Sequence, residues 1–111
     1  MANDIHISIT NNDIPNIERA LPEIKARALE MIGLLAEGYA KRLCPVDTGR
    51  LRNSISHDND DNAVTVGTNV DYAIYVEMGT VHSRAQPYLK PAIVDHLDEY
   101  KGIIKDTLKG N

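Results

Sequence analysis

Ile5, Ile7 and Ile9 alternate with His6, Ser8 and Thr10, and this period of two predicts a half-buried strand. Asn11, Asn12 and Asp13 break the pattern, with Asp13 placed to cap a helix whose first turn tolerates Pro15. Ile17, Leu21, Ile24, Ala28, Met31, Leu35 and Tyr39 then recur at steps of three and four. That spacing predicts one apolar stripe on a long helix reaching about Leu43, with Glu18, Arg19, Glu23, Lys25, Arg27, Glu30 and Lys41 mostly off it. Pro22 lies too deep for a comfortable first turn and predicts a kink or a restart. Cys44 precedes Pro45 and ends the helix.

The turn from Val46 to Arg52 offers Asp47 or Thr48 as the cap of a one-turn helix. Ser54 to His57 and Ala63 to Thr68 read as two short strands, the second with Val64 and Val66 on one face. A polar hairpin loop, Asp58 to Asn62, joins them. After Asn69 the pattern turns helical: Asp71 is the expected cap, Tyr72, Ile74, Tyr75, Val76 and Met78 supply bulk, and Gly79 stops the segment. Thr80 to Gln86 has no periodicity. Pro87 and Pro91 bracket the start of a last helix carrying Leu89, Ile93, Leu97, Tyr100, Ile104 and Leu108 on one stripe. These elements predict an α+β fold: a small antiparallel sheet of three to four strands packed against a long N-terminal helix and a C-terminal helix, with a short helix between. The 111 residues are expected to form a single domain, 1–111.

Composition changes the picture in two places. Phe and Trp are absent, so the core falls to Ile, Leu, Val, Ala and Met, with tyrosines placed where a hydroxyl reaches a partner. A net charge of −4 gives no basis for a phosphate-gripping surface, and specific nucleic-acid binding is not expected. The single Cys44 forms no intrachain disulfide and fits a reducing compartment. The start Met1-Ala2-Asn3-Asp4 lacks the basic flank and apolar run of a signal peptide, and no apolar stretch reaches the ~20 residues of a membrane span. These features predict a soluble protein made inside a cell.

Candidate chemistry is thin. Cys44 would need thiolate character and a neighbouring base, yet His6, His57, His82 and His96 are scattered, and the C-terminal end of a helix disfavours an anion. It reads as a small core residue. Asp58, Asp60 and Asp61 lack the glycine and the distant bidentate glutamate of a calcium loop. His82 and His96 lack zinc-ligand spacing. Thr48-Gly49-Arg50 with Arg52 lacks the Gly-Lys-Ser/Thr ending of a phosphate loop. No catalytic residue, metal ligand or cofactor is expected.

Two segments are more specific in combination: Cys44-Pro45-Val46-Asp47-Thr48-Gly49-Arg50-Leu51-Arg52-Asn53-Ser54-Ile55, and Val66-Gly67-Thr68-Asn69-Val70-Asp71-Tyr72-Ala73-Ile74-Tyr75-Val76-Glu77-Met78-Gly79-Thr80, followed by Ala85-Gln86-Pro87-Tyr88-Leu89-Lys90-Pro91-Ala92. Their order and spacing resemble the small tail-component proteins of long-tailed, lambda-like bacteriophages and prophages, the neck, head–tail joining and tail-completion family. The resemblance runs from the first long helix to the last. It implies a non-catalytic virion part that assembles as a ring where tail meets capsid, beside connector and tail proteins, after synthesis in the bacterial cytoplasm. It carries over no catalytic residue.

On this reading Arg50, Arg52, Glu77, His82 and Arg84 are the expected partner-contact residues, with Glu77 the expected partner of Arg50 or Arg52. Little in residues 80–86 is expected to hold an ordered conformation in a lone subunit, and Arg84 is its most useful contact because a guanidinium binds carboxylates with two parallel hydrogen bonds. The signature's glycines Gly49, Gly67 and Gly79 are read as turn or positive-φ positions, and Tyr72, Tyr75 and Val76 as packing residues. The competing function classes are a small nucleic-acid-binding regulator, which would need a basic face, and a small hydrolase, which would need a catalytic constellation.

Overall fold

The computed structural model describes residues 5–9, 21–45, 49–60 and 63–109. Asp13, Pro15, Ile17, Asp47 and Thr48, to which the sequence assigns capping and stripe roles, lie outside these residues. The elements in order are β1 (Ile5–Ile9), α1 (Pro22–Leu43), α2 (Arg50–Ser54), β2 (Ser56–Asn59), β3 (Val64–Thr68), α3 (Ala73–Met78), α4 (Leu89–Val94) and α5 (Leu97–Lys109). The strands form an antiparallel sheet in the order β1-β3-β2, and the overall dimensions are 50 × 25 × 23 Å. The fold is the expected α+β arrangement.

Register fixes the two faces of the sheet. Ile7 pairs with Val66, which pairs with His57. Because side chains alternate along a strand, Ile5, Ile7, Val64, Val66, Thr68 and His57 share the side that α1 covers. His6, Ser8, Thr65, Ser56 and Asp58 share the other, where the Ser8 and Thr65 hydroxyls meet at 2.8 Å. The buried cluster joins Val64 and Val66 to Leu29 and Ile32 of α1, Leu51, Ile55, Leu89, Ile93, Tyr100 and Ile104.

Helix α1 begins at Pro22, the first-turn position that spares proline's missing N–H; the stretch before Leu21, which would decide between a kink and a restart, lies outside the described residues. The predicted stripe is corrected. Ala28, Leu29, Ile32, Gly33, Ala36 and Ala40 are buried, whereas Met31 and Leu35 are exposed. Apart from Ala28 the core face is shifted by one residue, about 100° around the helix. The inward face sets Leu29 and Ile32 among the small residues Ala28, Gly33, Ala36 and Ala40, the sheet approaches closely at Gly33, and Met31, Leu34 and Leu35 are left outward.

Four further expectations are revised. The strand expected from Ser54 starts at Ser56, because Ser54 ends α2 with its hydroxyl donating to the Leu51 carbonyl. Asp71 does not cap α3, which has Tyr72 at its start and no side-chain cap. The last helix is broken between α4 and α5: His96 N–H bonds to the Ile93 carbonyl, a tightened turn, and the His96 ring stacks on Tyr39 with centroids 3.6 Å apart. Gly67 is not at a turn but inside β3, where a Cβ would collide with the His6 ring and the Ile5 carbonyl of the paired strand. Gly49 and Gly79 do have positive φ, 84° and 78°.

Candidate functional site

The signature segments come together at the C-terminal end of α1. Helix α2 turns Leu51 inward and Arg50, Arg52 and Asn53 outward. Thr68, at the end of β3, ties this turn to the sheet through a chain of hydrogen bonds. The Val70 N–H donates to the Thr68 hydroxyl, the Thr68 and Ser54 hydroxyls are bonded, and Ser54 donates onward to the Leu51 carbonyl. Every member is satisfied, so the buried Thr68 hydroxyl costs nothing in lost hydration.

Glu77 is placed differently from the sequence expectation. It is only 7% exposed, and its carboxylate accepts three backbone N–H groups, from Tyr88 at 3.0 Å, Leu89 at 2.9 Å and Lys90 at 3.1 Å. These are the donors that the start of a helix leaves without partners. Glu77 therefore caps α4 from α3, across the whole intervening loop, instead of serving as a surface partner of Arg50 or Arg52. Arg50 lies 3.8 Å from Asp71, with both side chains exposed, and its guanidinium sits over the Tyr72 ring.

The loop between α3 and α4 is held at both ends. Gly79 closes α3 with φ 78° and ψ 173°, a backbone conformation open to glycine alone. A Cβ there would lie 2.7 Å from the Ala85 nitrogen. The Gln86 N–H returns to the Val76 carbonyl at 2.8 Å. Inside the loop the Thr80 hydroxyl accepts the N–H groups of His82 and Ser83, and the Thr80 N–H bonds to the Ser83 carbonyl at 2.9 Å. The segment expected to lack ordering interactions thus has a defined set of them, supplied largely by backbone and by Thr80. It carries His82 and Arg84 on an exposed surface, with Val81 at 95% exposure, and Tyr75 and Met78 of α3 exposed as well. Tyr75 is thus a surface residue, not a packing one.

Cys44 is buried, and its thiol contacts the Pro45 carbonyl. Burial pushes the thiol's pKa up, and the opposing charge of Arg52 does not offset it. Such a thiol is a poor nucleophile at neutral pH. Among the described residues no group of three or more His, Cys, Asp or Glu side chains could hold a metal, and no helix is long and apolar enough to cross a membrane.

One constellation escaped the sequence reading. His57 of β2 faces α1, with Nδ1 2.8 Å from Glu37 and Nε2 2.8 Å from Glu30. Its ring lies against Gly33, where any Cβ would collide with it. The available signals were a glycine in mid-helix and a histidine in phase with an inward strand face.

Residues 11–79 match a family model described as "Bacteriophage HK97-gp10, putative tail-component", more than half of the chain. The chain belongs to the HK97-gp10-like tail-component family. Neither a curated protein nor a solved structure gives a significant match. A tail component is a structural part of the phage particle, so membership places the chain among virion proteins that contact other virion proteins. The matched residues contain α1, α2, β2, β3 and α3 and close on Gly79. In this member of the HK97-gp10-like family the signature residues Ser54, Thr68, Glu77 and Gly79 all act on backbone geometry.

Proposed function

We propose that the protein is a non-enzymatic assembly protein of the head–tail joining or tail-completion region, acting through ring-type self-association and contact with neighbouring connector and tail proteins in the neck. The observation that carries this reading is the loop from Thr80 to Pro87. Its ends are fastened by Glu77 and Gly79, and it displays Val81, His82 and Arg84 with Tyr75 and Met78 beside it. Preformed loops bind at lower entropic cost than loops that order on contact. A second apolar surface is offered by Met31, Leu34 and Leu35, one helical turn apart on the outer side of α1, and contiguous exposed apolar groups are typical of interaction surfaces.

Deleting the gene from its phage tests the proposal. Electron microscopy is expected to show filled heads and separate tails, rescued by the protein supplied in trans. Joined, infectious particles formed without it would overturn the reading.

A further inference from the structure

Met31, Leu34, Leu35 and Gly38 stand at i, i+3, i+4 and i+7 on α1, which places them on one face of the helix. The three side chains are exposed, Leu34 most of all. The two glycines of α1 differ in their surroundings. A Cβ on Gly33 would collide with the His57 ring, so that glycine is used inside the subunit. A Cβ on Gly38 would meet no atom within 4 Å among the described residues. Glycine weakens a helix interior, and the space that Gly38 leaves lies one turn beyond Leu34 on the exposed face. Charge flanks the same face, with Glu30 before it and Lys41 after it. Both have a partner inside the subunit, His57 and Glu37, and both keep a good part of their side chains exposed.

We propose that two copies of this chain pair through this face, α1 against α1, antiparallel about a two-fold axis at the level of Leu35 and Ala36. The pair is a contact between copies and does not depend on the place proposed for the protein in the particle. Self-complementarity selects the occupant. In this register Leu34 of each copy enters the gap at Gly38 of the other, and Leu35 meets its own counterpart near the axis. Glu30 comes opposite Lys41, twice over. Arg27 comes opposite the last turn of the other helix, whose carbonyls favour a cation. A parallel pair would set Gly38 against Gly38, bringing two gaps together, and would align the helix dipoles. The antiparallel contact is isologous, so it closes on two copies and does not propagate; a ring needs a second, different contact. Three exposed apolar side chains per copy make a small interface, so the dimer is expected to be weak, with a Kd on the order of 10–100 μM.

Sedimentation equilibrium of the full chain over about 10 μM to 1 mM measures the association, with thermal melting at the lowest concentration as the check on the lone subunit. Gly38→Gln is the diagnostic variant. It fills the gap with a good helix former, so the lone subunit is expected to melt no lower than the parent. Self-association is expected to weaken on the order of tenfold or more, and Leu34→Gln to weaken it similarly. Oxidative cross-linking reads the orientation, with the parent, whose Cys44 is buried, as the control. Leu35→Cys is expected to join its own counterpart near the axis. Glu23→Cys is not, because in an antiparallel pair the two copies of that residue stand more than ~30 Å apart. A parent that stays monomeric to about 1 mM, or dimers that both Gly38→Gln and Leu34→Gln leave unchanged, would overturn the pair. So would cross-linking through Glu23→Cys, which only a parallel pair allows. A Leu34→Gln chain that dimerises like the parent but no longer rescues the deleted phage would overturn it too, and give the face to a different virion protein. Sedimentation and cross-linking are read on the free chain, so joined particles formed without the protein would remove the assembly reading alone.

Discussion

The Glu77 carboxylate bonds the backbone N–H of Leu89 at 2.9 Å, twelve residues further along the chain. With the bonds to Tyr88 and Lys90, it fixes how α4 leaves the loop, and so it fixes the surface the loop presents. A carboxylate suits this position because it has acceptor capacity for all three donors and nothing to donate.

Replacing Glu77 with alanine leaves three N–H groups with no acceptor in a buried place. The expected loss is ~2–4 kcal/mol in urea unfolding. Glu77→Gln keeps one carbonyl oxygen for two of the donors but sets an amide against the third, so its loss is expected to be about half as large. A loss under ~0.5 kcal/mol for Glu77→Ala would mean that the cap is not what orders α4.

The corrected phase of α1 makes opposite forecasts for neighbouring residues. Ile32 is fully buried and Leu35 is 36% exposed. Ile32→Ala is expected to cost ~2–5 kcal/mol and Leu35→Ala less than about 1 kcal/mol, again by urea unfolding. Equal losses would return the core to the predicted stripe.

That phase error shows where the sequence was legible and where it was not. The helical period of α1 and its end at Leu43, the strands at Ile5–Ile9 and Val64–Thr68, and the stop at Gly79 follow from local chemistry that leaves a mark on the residues themselves. The facing side of α1 does not, because Gly33, Ala36 and Ala40 carry little hydrophobic signal, and the missing side chain of Gly33 counts only once His57 and Val64 lie against it. Glu77 was singled out but paired with the wrong partners, since no local pattern announces a cap supplied from another helix. The break at Asp95 and His96 likewise depends on Tyr39, far away in the chain.

The His57 clamp predicts a pH dependence. Burial disfavours the imidazolium, but hydrogen bonds to Glu37 and Glu30 outweigh it and raise the pKa above the ordinary 6.5. Burial likewise works against the Glu37 carboxylate, and its bonds to His57 and Lys41 outweigh that and hold its pKa below 4.5. A raised histidine contributes stability that is complete below about pH 6.5 and is lost as pH rises through its folded value. A lowered carboxylate contributes stability that is complete above about pH 4.5 and is lost as pH falls through its folded value. The clamp is therefore strongest between these limits. Thermal melts from pH 4 to 9 are expected to show His57→Gln losing most relative to the parent near pH 5–6 and least above pH 8. A difference that does not vary with pH would show that His57 holds α1 by packing alone.

Val81 and Arg84 test whether the fastened loop is a contact surface. Neither supports the fold: Val81 is 95% exposed, Arg84 is exposed, and the bonds that shape the loop come from Thr80, Gln86 and the backbone. Val81→Asp and Arg84→Ala are expected to leave the melting transition within the range of ordinary surface changes, ~0.5 kcal/mol or less. An apolar side chain buried at an interface cannot become a carboxylate without a large loss, because an unpaired charge would have to leave water. Truncating a guanidinium that pairs across an interface typically costs ~2–5 kcal/mol. Both variants, supplied in trans to a phage lacking the gene, are therefore expected to give fewer joined particles by microscopy, and the plaque titre is expected to fall with them. Normal joining by both folded variants would remove the loop from the interface and leave the outer side of α1, with Met31, Leu34 and Leu35, as the surface to alter next.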